Sequence, residues 1–326
     1  MRAAFYTRQG PAREVLQLGE RPDPVPRPGE VLVRLQTSGV NPSDWKSRRG
    51  GGRPMFAPTI IPHSDGAGVI EAVGDGVPAE RVGERVWIWN GQWQRADGTA
   101  AERIALPARQ AVRMPDALAF DAAACLGIPG LTALQAVRLA GLGRGARVLI
   151  PGGAGAVGRY AIQFAKARGA TVLTTVSSEA KAAVARTAGA DHVIDYKRED
   201  VGARVAELTA GGGVDAVVEL DLTSNAAAYP KLLRPRGTVA IYGMAQPTAT
   251  LPSQWLMWNS ITLKPFLVYE LSPEDRTACL TELSERLAAG ELSHHVGLRL
   301  PLDEIATAHE QLEQGRVLGN VVLTIP

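Results

Sequence analysis

The sequence ARVLIPGGAGAVGRYAIQFAK at residues 146–166 decides the fold of this chain. Its first five residues have strand character and end in a glycine-rich turn, Gly152-x-x-Gly155-x-x-Gly158. Apolar residues then recur every three or four positions, which is the spacing of a helix. This order favours dinucleotide binding, because glycines let the backbone approach a pyrophosphate and the helix N-terminus attracts it. A purely structural turn between a strand and a helix is the alternative.

Strand and helix patterns alternate on the C-terminal side of this stretch. Strands are predicted at residues 146–150, 171–176, 191–194, 214–220 and 238–242. The alternation predicts an α/β fold with a Rossmann, doubly wound parallel sheet. The N-terminal third instead has short β-branched and aromatic runs between prolines and glycines, such as residues 85–88, which predicts a mostly-β domain. We therefore predict a nucleotide-binding domain at residues 121–265 and a second domain built from residues 1–120 plus 266–326.

The composition is that of an ordinary globular protein. Of the 326 residues, 45% are apolar and 21% are charged, and the length favours two domains. The formal net charge is +2 without a basic block, so no nucleic-acid partner is expected. No run of 18 apolar residues occurs, from which we expect no membrane span and a cytoplasmic location. Cys125 and Cys279 lie too far apart for a paired zinc motif.

Motifs along nearly the whole chain resemble those of one family. In order they are GVNPSDWKSRRG (39–50), IPHSDGAGVIEAVGDGV (61–77), GTAAE (98–102), LGIPGLTA (126–133), PGGAGAVG (151–158), GADHVIDYKRED (189–200) and LSPEDR (271–276). The chain resembles the zeta-crystallin-like quinone oxidoreductases of the medium-chain dehydrogenase/reductase superfamily. The resemblance implies a GroES-like catalytic domain, a Rossmann domain, NADPH-dependent reduction of quinones or activated alkenes, and usually a homodimer.

The residues argue against a zinc site. The zinc alcohol dehydrogenases of the superfamily have a cysteine where this chain has Asn41 and a histidine where it has Ser64. Asparagine and serine do not replace thiolate and imidazole as zinc ligands. His63 is one position away, and packing or hydrogen bonding is the alternative to ligation for it. We predict a zinc-free protein.

The end of the second Rossmann strand favours NADPH over NADH. NAD-preferring folds place an acidic residue there, whereas this chain has Ser177, 19 residues after Gly158. Hydroxyls of Ser177 and Ser178 and the ammonium of Lys181 can bind a 2′-phosphate. A solvent-exposed helix lysine is the alternative for Lys181.

The resemblance implies further cofactor contacts. Lys181 and Tyr196 match residues that contact the 2′-phosphate, and Arg316 matches an arginine on the adenosine side. The pyrophosphate would be bound by the turn residues Ala154, Gly155, Ala156 and Val157. Residues expected near the nicotinamide are Thr132, Tyr242, Phe266 and Val268, for which core packing at strand ends is the alternative.

Asn41 is the predicted catalytic residue. Its amide would hydrogen-bond either the nicotinamide ribose or the substrate oxygen. Hydride transfer to a quinone or an enone requires no strong general acid, because the product anion can take its proton from solvent. We predict an NADPH:quinone oxidoreductase. The alternatives are an enoyl or 2-alkenal reductase, a non-catalytic NADPH-binding protein and a zinc alcohol dehydrogenase.

A possible ion pair, a tryptophan-rich stretch and an apolar run also suggest structural roles. Asp44 and Arg48 are four residues apart, which permits an ion pair on one helix face. The tryptophans of residues 87–93 either line a pocket for a flat substrate or pack within the β domain. The apolar run at 261–268 is predicted to be an edge strand that a second copy covers in a homodimer.

Overall fold

The computed structural model describes residues 1–50 and 54–326. The described strands are β1 (Arg2–Phe5), β2 (Gln17–Glu20), β3 (Glu30–Val40), β4 (Asp65–Val73), β5 (Arg85–Ile88), β6 (Arg103–Pro107), β7 (Ala111–Arg113), β8 (Arg147–Pro151), β9 (Thr171–Val176), β10 (His192–Asp195), β11 (Val214–Glu219), β12 (Leu233–Ile241), β13 (Thr262–Pro265), β14 (Val296–Pro301) and β15 (Asn320–Thr324). The described helices are α1 (Ala12–Val15), α2 (Pro42–Arg49), α3 (Phe120–Ala123), α4 (Leu131–Ala140), α5 (Ala156–Ala167), α6 (Glu179–Thr187), α7 (Val201–Leu208), α8 (Leu222–Asn225), α9 (Tyr229–Leu232), α10 (Ser253–Trp258), α11 (Pro273–Ala288) and α12 (Ile305–Glu313). Within the described part of the chain, no helix is both long and apolar enough to cross a bilayer.

The chain forms two compact units. The first unit contains Met1–Pro129 and Ser284–Pro326, and the second contains Gly130–Leu283. These boundaries fall later in the chain than the predicted ones at 121 and 266. The start of the second unit is shifted because the Ile128 N–H donates to the buried Asp65 of the first unit, at 3.0 Å. Its end is shifted because the part of α11 up to Leu283 belongs to the second unit, where the Cys279 Sγ lies 3.3 Å from the Gln135 Oε1.

The second unit contains a six-stranded parallel sheet with the strand order β10-β9-β8-β11-β12-β13. The order reverses between β8 and β11, which makes this pair the topological switch point of a doubly wound fold. The strands are buried because apolar β-branched residues and leucines fill both faces, as in Val148, Leu173 and Val217. The predicted α/β class with a Rossmann sheet is confirmed, and β9 has the bounds predicted for it.

The first unit is built on a largely antiparallel sheet. Its strand order is β14-β15-β3-β4-β5-β7, with β6 also paired to β3 and a separate β1-β2 ribbon. The C-terminal strand β15 pairs with β3, and the core combines residues from both ends of the chain, such as Val33 and Leu323. This arrangement places Asn41 directly after β3 and Asp65 at the start of β4.

The packing of the first unit bears on two of the hypotheses. The Asp44–Arg48 ion pair is wrong, because the Arg48 Nη2 lies 2.8 Å from the Glu313 Oε2 on α12. In the tryptophan-rich stretch, Trp87 of β5 is fully buried, which favours packing for this residue, whereas Trp93 is half-buried. Trp89 is also buried, and its indole N–H donates to the Arg109 carbonyl at 3.2 Å.

Candidate cofactor and active site

The glycine turn connects β8 to α5 at the switch point. Gly152 has φ of +71°, a left-handed conformation that favours glycine, and its carbonyl accepts the Gly155 N–H at 2.9 Å. A Cβ on Gly158 would lie 2.4 Å from the Gly152 oxygen, so only glycine fits there. A Cβ on Gly152 would lie 2.8 Å from the Leu220 side chain after β11. The turn is therefore tightly packed, and its backbone lies beside the end of β11.

The predicted pyrophosphate residues form the start of α5. Gly155 is the N-cap and is exposed, and Ala156 and Val157 are half-buried in the first turn, where helix N–H groups have no partner within the helix. Ala156 does not adopt a positive φ, so an alanine is compatible with this backbone conformation. Ala154 is buried. The N-terminus of this 12-residue helix is suited to a phosphate group.

Ser177 and Lys181 meet at the carboxyl end of β9. The Lys181 Nζ donates to the Ser177 Oγ at 2.9 Å. Ser178 caps α6 by accepting the Lys181 backbone N–H at 3.4 Å. Tyr196 directly follows β10, whose Asp195 pairs with Val176 of β9, so Tyr196 is beside this cluster and is 53% exposed. Two hydroxyl groups, an ammonium and a phenol thus lie on one edge of the sheet.

The nearby Glu179 carboxylate has its own partner. Its Oε1 lies 2.5 Å from the Arg186 Nη1 in an exposed ion pair along α6. The Glu179 carboxylate near the end of β9 is therefore paired with the Arg186 guanidinium.

The residues predicted to lie near the nicotinamide follow neighbouring strands. Tyr242 follows β12, and its N–H donates to the Glu219 carbonyl at 3.0 Å. Phe266 follows β13, and its N–H donates to the Ile241 carbonyl at 3.0 Å. Val268 and Thr132 are buried, and the Thr132 Oγ1 has no hydrogen-bond partner among the described residues. A buried hydroxyl without a partner is expected to bind a ligand or water.

The sequence interpretation did not include Glu219, which ends β11 and is fully buried. Its carboxylate accepts from the Tyr229 hydroxyl at 3.0 Å, the Asn225 amide at 2.8 Å and the Asp221 N–H at 2.7 Å. Burial and this carboxylate raise the pKa of Tyr242 above its usual range. Glu219 thus anchors the loop after β11. The sequence signal for it is an acidic residue that ends an otherwise apolar strand.

Asn41 is the N-cap of α2 and is 3% exposed. Its side-chain Nδ2 donates to the Asp65 Oδ2 at 2.9 Å, and its backbone N–H donates to the Asp44 Oδ2 at 2.7 Å. Burial raises the pKa of Asp44 to about 7 and the pKa of Asp65 well above its usual range. Asn41 is therefore held at both its backbone and its side chain.

The predicted site residues are divided between the units. Asn41 and Arg316 belong to the first unit, and all the other predicted cofactor contacts belong to the second. Arg316 follows α12, its side chain is exposed, and its N–H donates to the Gln311 carbonyl at 3.0 Å.

The histidine nearest to Ser64 is engaged in hydrogen bonds. The His63 Nδ1 lies 2.8 Å from the Ser38 Oγ, and its Nε2 lies 2.8 Å from the His309 Nε2. Burial lowers the pKa of His63 to about 3. Within residues 1–50 and 54–326, no group of three or more His, Cys, Asp and Glu side chains is arranged to hold a metal ion.

Comparison with known proteins agrees with this architecture. The family model for the alcohol dehydrogenase GroES-like domain matches residues 27–116, and the model for zinc-binding dehydrogenase matches residues 156–286. A GroES-like unit together with a Rossmann unit defines the medium-chain dehydrogenase/reductase superfamily.

The quinone oxidoreductase of Pseudomonas aeruginosa is 33% identical over 330 residues, with 99% of this chain and 98% of the relative covered. The 2-haloacrylate reductase of a Burkholderia species is 30% identical over 339 residues, with the same coverage of 99% and 98%. A mycobacterial protein solved in complex with NADPH is 33% identical, with a TM-score of 0.88 and coverage of 99% of this chain and 100% of that chain. The chain belongs to the zeta-crystallin-like quinone oxidoreductase family.

Proposed function

We propose that this protein is an NADPH-dependent oxidoreductase that transfers hydride to a quinone. The observation that carries the proposal is the cluster of Lys181, Ser177 and Tyr196 at the carboxyl end of β9, in a chain similar over 99% of its length to a quinone oxidoreductase. A mycobacterial relative of the same fold binds NADPH. Hydroxyl and ammonium groups suit a 2′-phosphate, which an acidic residue in the place of Ser177 would repel.

The residues present fit this cofactor. The α5 N-terminus and the glycine turn suit the pyrophosphate, and the buried Thr132 hydroxyl, which has no partner among the described residues, suits a polar group at the nicotinamide end. Ser177, Ser178, Lys181 and Tyr196 would contact the 2′-phosphate, Arg316 the adenosine side, and Tyr242, Phe266 and Val268 the nicotinamide. When bound, NADPH supplies a hydride to the acceptor.

The protein's contribution to the reaction is positioning and exclusion of water. A quinone that gains a hydride becomes a hydroquinone anion, which takes one proton from solvent. The chain therefore needs to orient the two reactants and does not need a strong acid. The half-buried Tyr242, whose N–H donates to the Glu219 carbonyl, would form one wall at the predicted nicotinamide position.

Reduction of a C=C bond next to a carbonyl is the second candidate. The 30% identity to a 2-haloacrylate reductase favours it, because that relative acts on an activated alkene by its name. The same parts would serve, since an enone accepts hydride at its β-carbon and a proton at its α-carbon.

We also propose that the protein is zinc-free. Asn41 and Ser64 stand at the positions of zinc ligands, and both ring nitrogens of His63 lie within hydrogen-bonding distance of Ser38 and His309. Amide and hydroxyl groups are poor zinc ligands compared with thiolate and imidazole.

We further propose a cytoplasmic homodimer that forms along the edge of the Rossmann sheet. β13 is the last strand in the sheet order. Beside it in the sequence, Met257 and Trp258 of α10 are each 76% exposed. Unpaired strand edges and exposed apolar side chains are usually covered by another surface.

The test of the function is a steady-state panel. NADPH and NADH are each assayed against 1,4-benzoquinone, 9,10-phenanthrenequinone, 2-cyclohexenone and 2-hexenal. We expect NADPH to be preferred and the quinones to be reduced fastest. Faster reduction of 2-cyclohexenone or 2-hexenal would favour the second candidate, equal use of NADH would reject the 2′-phosphate assignment, and NADPH binding without turnover would indicate a non-catalytic protein.

A further inference from the structure

The Asn41 amide has one orientation in this structure. Its Nδ2 donates to the Asp65 Oδ2 at 2.9 Å. The capping box at the start of α2 directs the other end of the amide, the Oδ1, towards the backbone N–H of Asp44. A carbonyl oxygen has two lone pairs, so Oδ1 can accept a further hydrogen bond from a ligand. The residue as a whole is only 3% exposed, and the donor end of its amide is already engaged.

Asp65 fixes this orientation through a second contact. The same Oδ2 accepts the backbone N–H of Ile128 at 3.0 Å. A backbone N–H can only donate, so Oδ2 accepts from Ile128, and the oxygen of an ionised carboxylate can only accept from the neighbouring amide as well. Turning the Asn41 amide over would set its oxygen against the Asp65 oxygen.

Protonation of Asp65 does not change this conclusion. Burial raises the pKa of this carboxyl, and the proton belongs on Oδ1, which has no protein partner among the described residues, while Oδ2 has two donors. The absence of a side chain at Gly127 leaves room for this Oδ1. A Cβ at that position would clash with it at 2.3 Å and with the Ile88 carbonyl oxygen at 2.5 Å. A proton on Oδ2 could instead be donated to the oxygen of a turned amide, but the turned amide would set its NH₂ against the Asp44 backbone N–H of the capping box. With the proton on Oδ1, or with the carboxylate ionised, Oδ2 accepts and the Asn41 NH₂ points towards Asp65.

We infer that Asp65 is a positioning residue that commits Asn41 to accept a hydrogen bond from a hydroxyl group of the bound cofactor. This inference rests on the proposed function. Asn41 then binds a ribose hydroxyl and does not stabilise the negative charge that develops on a quinone or enone oxygen, because an amide carbonyl would repel that charge. The anion of the acceptor is stabilised by other groups.

The first test measures NADPH dissociation constants by fluorescence, without an electron acceptor. NADPH is compared with analogues that lack a hydroxyl of the nicotinamide ribose. For the wild type we expect about fivefold weaker binding of one analogue, the usual effect of one neutral hydrogen bond. The ratio of the two dissociation constants, analogue over NADPH, should fall to about one in Asn41→Ala and Asp65→Leu. It should recover to about five in Asp65→Asn and stay at about five in the control Asn259→Ala.

The recovery in Asp65→Asn is expected because the oxygen of the introduced amide can still accept from both Asn41 and Ile128. The NH₂ of that amide takes the place of the protonated Oδ1. If the wild type binds NADPH and the ratio of dissociation constants stays at about five in Asn41→Ala or Asp65→Leu, the inference is wrong. Absence of NADPH binding by the wild type would instead overturn the proposed function.

The second test needs neither a variant nor a cofactor. In labelled wild-type protein, the Asn41 side-chain NH₂ should show a nuclear Overhauser effect to the Ile128 backbone N–H, because both donate to one oxygen at 2.9 and 3.0 Å. Solvent exchange of that NH₂ should be slow. A rapidly exchanging NH₂ without this contact would show that the amide presents its donor end, and the inference would be wrong.

Discussion

Among single residues, the cluster at the end of β9 is the proposed determinant of the preference for NADPH over NADH. Its key contact is one hydrogen bond of 2.9 Å from Lys181 to Ser177. The hydrogen bond to the hydroxyl restricts the position of the ammonium. A positioned charge loses less conformational entropy on binding than a free lysine does.

Replacing Lys181 by alanine should weaken NADPH binding about tenfold and leave NADH binding nearly unchanged, because a charge-assisted hydrogen bond to the 2′-phosphate is lost. Dissociation constants from fluorescence titration measure both effects. The exposed Lys231→Ala variant is the matched control. A similar loss for both cofactors would argue that Lys181 supports the fold and not the phosphate.

The buried carboxyl of Asp65 predicts a pH effect on stability. Its pKa is raised in the folded state, so the folded protein holds a proton that the unfolded chain loses as the pH rises above about 4. The wild type should therefore lose stability relative to Asp65→Asn with rising pH, by at most about 1.4 kcal/mol per pH unit. Urea unfolding between pH 5 and 8 measures this, with the exposed Asp116→Asn for comparison. A pH-independent difference would contradict it.

Among the secondary-structure elements, the β8–α5 turn and the loops after β11 and β12 form one connected edge. Asp221 accepts the Ala245 N–H at 2.8 Å, and the Leu222 N–H donates to the Gly243 carbonyl at 3.1 Å. Glu219 holds the base of the first loop through three donors. The Asp221 and Leu222 contacts join the loops that follow two neighbouring strands, β11 and β12, so the period of either strand alone does not show them.

Gly158→Ala tests the turn as an element. Its Cβ would lie 2.4 Å from the Gly152 oxygen, and backbone atoms must shift to relieve the contact. We expect NADPH affinity to fall about tenfold or more, because the turn positions the helix N-terminus at the pyrophosphate. Gly143→Ala has open space around its Cβ and should bind NADPH as the wild type does. Equal affinities of the two variants would argue against a phosphate-binding role.

For the molecule as a whole, the fold divides its predicted cofactor contacts between two units, with Asn41 and Arg316 in one and the remaining residues in the other. Each unit has its own core, and the second unit has an open sheet edge at β13. The edge and the exposed apolar side chains of α10 support the proposed homodimer.

Trp258→Asp should shift the protein towards a single-chain mass of 34.5 kDa in sedimentation, because a charge would be placed in the proposed interface. Trp258 is 76% exposed, so the variant should fold normally. Val25→Asp introduces the same charge at a 79% exposed site of the first unit and should remain a dimer. A single-chain mass for the wild type would reject the dimer.

The local features of this protein follow from its sequence alone. The glycine turn, the strands at Thr171–Val176 and Arg85–Ile88 and the identity of the residues after β9 could all be predicted, because they depend on period, turn chemistry and short spacing. The family motifs added the order of the two domains.

The meeting of distant side chains, in contrast, depended on the folded chain. Arg48 pairs with Glu313 instead of Asp44, although Arg48 and Glu313 are 265 residues apart. The Asn41 amide donates to the buried Asp65 carboxyl on the neighbouring strand. A buried polar group must find a partner wherever the folded chain supplies one, and no sequence period records that choice.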